Sequence, residues 1–293
     1  MYIWDKKRKG INQRNEKTMS IKMVVTDLDG TLLRDDKTIC ERDRRSFEHL
    51  GNKQIVRVAA TGRSLFAVEK VLPGDFPFDY IVFSTGTGIY DVKSKKIILS
   101  HSLKSREINE IAKVLFSENL DFTIHAPIPN NHTFQYYLTE NENAGFRQYR
   151  EFYRECCSPL EPNHDLPNEA CQFLTIMENS PMQFERIKQR LSKFKVIRTT
   201  SPFDHNSLWM EIFPKNVSKG DTVAWLCEKL NITPHQVLAI GNDFNDIDFL
   251  NYAGHSRLVE NGHDELKGRY RLVPSNNNNG VSEAIREFIP LNF

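Results

Sequence analysis

The chain has 293 residues, of which 39% are hydrophobic and 26% charged, with a formal net charge of +1. That length suggests about two domains, and that composition can bury a substantial core. The near-neutral charge gives no general pull toward nucleic acid or a membrane surface. No stretch approaches the roughly 20 apolar residues of a spanning helix.

The opening, "MYIWDKKRKGINQRNEKTMS", is basic but has no apolar core, so it does not read as a secretory signal. Residues 1–18 are expected to form a disordered extension, since a chain starting at Met19 or Met23 would enter the first strand directly. Five cysteines (Cys40, Cys156, Cys157, Cys171 and Cys227) show no framework spacing. The adjacent pair Cys156-Cys157 is not the spaced pair of a zinc site, so free thiols in a cytoplasm are expected.

Ile21, Met23, Val24 and Val25 make an apolar strand that runs into Asp27, Asp29 and Gly30. Carboxylates at the end of a buried strand are costly unless something positive meets them. A helix is expected over 41–52, a strand over 54–62, a helix over 63–72 halted by Pro73-Gly74, and a strand over 78–86. Strand, helix, strand, helix, strand is two right-handed crossover units in succession.

The rhythm then changes. Residues 88–101 read as a hairpin, and 106–120 as an amphipathic helix with Ile108, Ile111, Ala112 and Leu115 on one side and Ser105 as its cap. An aromatic-rich irregular stretch follows, then a strand over 169–177 and a helix over 182–194. From His205 the reading returns to strands that precede helices. Residues 205–214 form one such strand, 218–230 a helix with a Ser218–Asp221 capping box, and 236–241 another strand. The expected fold is therefore α/β, a doubly wound and mainly parallel, Rossmann-like sheet. Its core spans 19–85 and 200–293, with a mixed α+β domain inserted at 86–199.

In such sheets ligands sit beyond the carboxyl ends of the strands. Four strand ends here are polar: Asp27 to Thr31, Thr61-Gly62-Arg63, the approach to Ser218-Lys219, and Gly241 to Asp246. Lys219 stands in the first turn of a helix, where a cation opposes the macrodipole, so an anion beside it is implied. Thr61 and Gly62 offer a hydroxyl and backbone N–H groups suited to phosphate. Asp27, Asp29 and the groups of Asn242, Asp243 and Asp246 are hard oxygen ligands of the kind magnesium accepts. A divalent cation, helped by Lys219, would offset the acidic strand end.

"DLDGT", "ATGR", "VSKG" and "IGNDFNDIDFL" occur in an order and spacing that resembles the haloacid dehalogenase-like superfamily, and the insertion looks like the large cap of its Cof-type phosphatases (subclass IIB). The resemblance implies Asp27 as nucleophile forming an aspartyl-phosphate, and Asp29 as general acid and then base. Thr61 and Lys219 would hold the transferring phosphoryl group, with Leu28, Gly62, Arg63 and Asn245 as further phosphate contacts. Mg²⁺ would be held by Asp27, Asp29, Asn242, Asp243 and Asp246. The implied substrate is a small phosphorylated metabolite such as a sugar phosphate. In the cap stretch that holds Phe146, Arg147, Tyr149 and Arg150, either Arg147 or an aromatic reads its far end, or these residues are ordinary cap packing with solvated arginines.

Asp29 favours hydrolysis of a phosphate ester, since a halide leaving group needs no proton. The family usually reads Gly-Asp where this chain has Gly241-Asn242, so either Asp243 or Asp246 compensates or the metal is held less tightly. The alternatives are a phospho-ligand sensor without turnover and a phosphomutase, although mutases of the superfamily carry a smaller cap elsewhere. Oligomeric state is not legible.

Overall fold

The computed structural model describes residues 20–160, 166–178, 180–200 and 207–291; the expected extension at 1–18 lies outside them. Eight strands form the larger sheet. From one edge they run Arg271–Val273, His255–Val259, Val237–Gly241, Met23–Thr26, Val56–Ala60, Tyr80–Phe83, Gly88–Asp91 and Lys96–Ser100. The first six are parallel and the last two antiparallel.

The opening strand sits at the centre, and alternate side chains go to opposite faces as the pleat requires. Val24 packs with Phe47 and Leu50 of the helix Glu41–Asn52 and with Val281 and Ile285 of the helix Gly280–Arg286. Met23 and Val25 pack on the other face with Val223 and Leu226 of the helix Lys219–Leu230 and with Phe249 and Leu250. Both faces are covered, which is why the central strands read as continuous apolar runs. No described helix is long and apolar enough to cross a membrane.

A second, six-stranded sheet takes its strands from residues 122–213, in the order Lys195–Thr200, Leu208–Phe213, Phe173–Met177, Phe122–His125, Phe134–Tyr137, Cys157–Pro159. One face carries the helices Ser105–Ser117 and Pro181–Arg190 through Ile108, Ile111, Leu115, Phe184 and Ile187. Phe146 and Tyr149 of the helix Ala144–Phe152 cover part of the other, against Leu174 and Ile176.

Two expected boundaries move. The hairpin at 88–100, assigned above to the insertion, extends the core sheet as its antiparallel edge. Leu208–Phe213, assigned above to the core, pairs antiparallel inside the cap sheet with Phe173–Met177 and Lys195–Thr200. Both are apolar strands with no local mark of their partner, and pairing is decided by contacts with distant segments. The insertion thus runs from about 101 to 213.

Candidate active site

The first strand is flanked by Val237–Gly241 on one side and Val56–Ala60 on the other. The chain leaves it in both directions, so this is the switch point at which open α/β sheets bind ligands. Asp27, Thr61 and Asn242 each follow one of these three neighbouring strands. Asp27 and Thr61 are 5% and 1% exposed, and Lys219 is fully buried.

Lys219 is brought in by a close approach. Its helix is capped by Ser218, whose Oγ accepts the N–H of Asp221 at 3.1 Å. Thr222 Oγ1 donates to the carbonyl of Gly86 at 2.6 Å. Gly86 has φ +98° and any Cβ there would collide with the Ser218 carbonyl, so only glycine lets the helix end seat here. From that end Lys219 Nζ reaches Asp27 Oδ1 at 2.7 Å, Asp246 Oδ1 at 2.7 Å and Asn245 Oδ1 at 3.2 Å. Burial works against the ammonium, but Asp246 and Asp27 outweigh it and hold it charged. Burial also pushes Asp27 up to about 7, with Asp246 and Asp29 adding to the rise and Lys219 opposing it. One lysine does not neutralise this carboxylate fully.

Asp246 spends its second oxygen on its own loop, accepting the N–H groups of Asn242 at 2.7 Å and Asp243 at 3.0 Å. Asp243 Oδ1 accepts the N–H of Phe244 at 2.8 Å. Both aspartates therefore help to shape the loop, and Asp246 also shares the Lys219 ammonium with Asp27. Gly62 lies beside Thr85 and Asn245, and Thr61 Oγ1 accepts the N–H of Arg63. The Leu28 carbonyl anchors the following turn through the N–H groups of Thr31, Leu32 and Leu33.

Asp29 meets two cations. Arg63 grips it with Nε at 2.6 Å and Nη2 at 2.7 Å, and Lys37 Nζ lies at 3.0 Å. Burial raises this carboxyl, but the Arg63 fork and Lys37 outweigh it and hold it below the usual carboxylate range. Arg63, expected on phosphate, rests on the expected acid. Lys37 carried no local signal.

The fit of magnesium can be tested on the oxygens. The inward atom of the Asn242 amide lies 3.1 Å from Asp27 Oδ2, 3.2 Å from the Asp29 carbonyl oxygen and 3.0 Å from Thr31 Oγ1. As the nitrogen it donates into this cluster, and as the oxygen it stands with two other acceptors that a cation would bridge. Gly30, at φ +73°, makes room for it, since a Cβ would lie 2.8 Å from the amide. Among the described residues no three acidic, histidine or cysteine side chains converge into a ready cage. The donors are instead one carboxylate, one carbonyl and one amide around an incompletely neutralised charge. That set suits an ion that keeps most of its waters.

The cap closes over this cluster. Asn131 Nδ2 donates to Ser84 Oγ at 2.5 Å, Lys195 pairs with Asp248 at 2.5 Å, and the Arg198 guanidinium lies 4.2 Å from the Phe244 ring centroid. Arg147 does not join the cluster; it faces outward, over half exposed, on Glu142 at 2.9 Å. Tyr153, at the end of the same helix, comes within electrostatic reach of Arg63 and Asp29.

One group was missed. Glu211, in "LWMEIF", is buried at the seam, accepting from Thr85 Oγ1 of the core at 3.2 Å and from Gln172 Nε2 of the cap at 3.3 Å. Its signal was a single charge inside an apolar strand. Burial pushes it from the usual 4.5 up to about 7. A folded pKa above the unfolded one means stability is full below about 4.5 and is lost as pH rises through about 7. At pH 8 the ionised group opposes folding by up to about 3 kcal/mol. Glu211→Gln should therefore raise the denaturant midpoint at pH 8 and leave it nearly unchanged at pH 4.5. Equal midpoint shifts at the two pH values would contradict this.

A family model described as haloacid dehalogenase-like hydrolase matches residues 24–285. The chain belongs to this family. It is a haloacid dehalogenase-like hydrolase of Cof type, a phosphatase. A provisionally named phosphatase of Streptococcus pyogenes serotype M6 is 28% identical over 287 residues, covering 92% of this chain and 99% of that one. The 5-amino-6-(5-phospho-D-ribitylamino)uracil phosphatase YwtE of Bacillus subtilis is 26% identical over 295 residues, covering 92% and 98%. The haloalkanoate-superfamily phosphatase BT1666 of Bacteroides thetaiotaomicron shares the fold, with a TM-score of 0.74 at 15% identity over 94% of this chain and 97% of that one.

Proposed function

We propose that this haloacid dehalogenase-like phosphatase hydrolyses small phosphate monoesters of hydroxyl-bearing metabolites, sugar or polyol phosphates, with Mg²⁺, in the cytoplasm. The observation that carries the reading is the buried Asp27 held at 2.7 Å by the buried Lys219, with Asp29 two residues further on. The ribityl phosphate in the name of the Bacillus subtilis relative supports the substrate class. Five free cysteines agree with a reducing compartment.

Asp27 attacks phosphorus while the alcohol oxygen leaves and takes a proton from Asp29, giving an aspartyl-phosphate and a free alcohol. Asp29 then takes a proton from a water whose oxygen attacks phosphorus. This releases inorganic phosphate and restores both side chains. Lys219, Thr61 and the backbone at Leu28 and Gly62 hold the phosphoryl oxygens. An arriving phosphate competes for Arg63, and release from that fork lets Asp29 carry the proton it must give. Asp27, the Asp29 carbonyl and Asn242 would hold Mg²⁺, which supplies charge neutralisation on the transferring phosphoryl group. Asp246 keeps their loop in place.

Hydrolysis of p-nitrophenyl phosphate with and without Mg²⁺ and EDTA tests the reading. One observation favours the sensor, the Asn242 at the usual aspartate position, and phosphate binding without turnover would establish it. Asn242→Asp adds one negative charge among the donors and should tighten Mg²⁺ by about tenfold. It also sets a carboxylate beside Asp27, so the metal-free variant should melt below wild type. Calorimetric titration and melting curves, with and without Mg²⁺, read both effects; unchanged affinity would remove Asn242 from the donor set.

A further inference from the structure

The cap strand Leu208–Phe213 alternates its side chains. Leu208, Met210 and Ile212 enter the cap core, while Trp209 packs on the opposite face with Tyr149, Leu174 and Ile176. Glu211 pairs with Leu174, so it shares that second face, the one turned toward the catalytic cluster. It lies within electrostatic reach of Lys219 and Asp243 on the core side and of Tyr149 on the cap side. Its hydrogen-bond partners, Thr85 and Gln172, are both neutral. Beside it Cys171 is in reach of both Glu211 and Asn131. Asn131 is 4% exposed and its Oδ1 has no hydrogen-bond partner among the described residues.

A carboxyl in such a place does not stabilise the fold. Glutamine would fill the same space and keep hydrogen bonds without burying charge. Two acceptors, the Glu211 carboxyl and Asn131 Oδ1, stand at the closed seam above Lys219 with fewer donors than they can take.

We propose that Glu211 is the specificity residue of the cap, accepting a hydrogen bond from a hydroxyl of the substrate's leaving group while Thr85 and Gln172 fix its carboxyl. This rests on the phosphatase reading above. A hydroxyl fits better than an ammonium, because Lys219 already places positive charge within electrostatic reach of Glu211. A hydroxyl can also donate to Glu211 while accepting from a neighbour such as Gln172. Tyr153, packed on Tyr149 and within electrostatic reach of Arg63 and Asp29, offers an aromatic ring on which a carbon chain can lie.

The test compares kcat/KM for D-ribitol 5-phosphate, glucose 6-phosphate and sn-glycerol 3-phosphate with that for p-nitrophenyl phosphate, whose leaving group has no aliphatic hydroxyl. In Glu211→Leu the ratio of the best hydroxyl-bearing ester to p-nitrophenyl phosphate should fall about 10- to 100-fold, mainly through KM, as loss of a charge-assisted hydrogen bond requires. Glu211→Gln, which keeps the shape, should move the ratio in the same direction by less. An unchanged ratio in both variants overturns the proposal, and so does a wild-type preference for O-phosphoethanolamine over every hydroxyl-bearing ester. Absence of turnover on all of these esters by wild type overturns the phosphatase reading itself and takes this proposal with it.

Discussion

Asp27→Asn is expected to abolish turnover, lowering kcat by about 10⁴-fold or more, while the protein stays folded and still binds phosphate. The reason is chemical. An amide oxygen is too weak a nucleophile to displace an alcohol from phosphorus, and the alternative, direct attack by water, has no positioned partner here. The amide keeps the shape of the carboxyl and can still accept from Lys219. It also removes a negative charge that repels the substrate dianion. Inorganic phosphate should therefore bind the variant at least as tightly as wild type, by calorimetric titration. Two results would tell against Asp27 as nucleophile: more than a hundredth of wild-type kcat in the variant, or phosphate binding lost together with turnover. The second would mean that Asp27 builds the phosphate pocket rather than attacking from it.

The location of this site could be read before any coordinates because three constraints act together. A buried parallel strand must be apolar along its length, so polar residues gather at its carboxyl end. Successive right-handed crossovers make Val56–Ala60 a neighbour of Met23–Thr26. Glycine at positions 30 and 86 marks backbone that other residues resist. What was not legible depends on contacts between distant segments. Nothing local in "GIYDVKSKKIILSH" says that it continues the core sheet, and nothing in "LWMEIF" says that it pairs in the cap. The two misplacements offset each other, since each end of the insertion moved by about the length of one hairpin or strand. Arg63 was placed on phosphate by family likeness, yet in the closed molecule its fork finds Asp29 first. Arg147 was expected to reach inward. Helix geometry decides otherwise: Tyr149 is buried against Leu174 and Ile176, and Arg147, two positions earlier and so on roughly the opposite side of the helix, projects to solvent.

Lys219→Met should cost about 3–5 kcal/mol of stability at pH 8, the usual consequence of removing one partner from a buried ion pair. In the wild type its ammonium serves two carboxylates, Asp27 and Asp246, at 2.7 Å each. Methionine fills the volume and leaves both charges buried without their cation. At low pH the carboxyls can be protonated and the penalty shrinks. Without the lysine the folded pKa of Asp27, already raised to about 7, climbs further above its unfolded value, so stability is lost as pH rises from about 4 through neutrality and beyond. Denaturant midpoints of variant and wild type should therefore converge near pH 4 and diverge above pH 7. Added Mg²⁺ should raise the variant's melting temperature more than that of wild type, since the cation then meets carboxylates that no ammonium shares. The same comparison explains why a cation stands in the first turn of its helix against the macrodipole. There the backbone repels it by only about 0.3–1 kcal/mol, and the two aspartates it reaches outweigh that several times over. A variant that unfolds at the wild-type midpoint at pH 8 would show that the ion triad contributes nothing, and with it would go the argument that places the catalytic charge at Asp27.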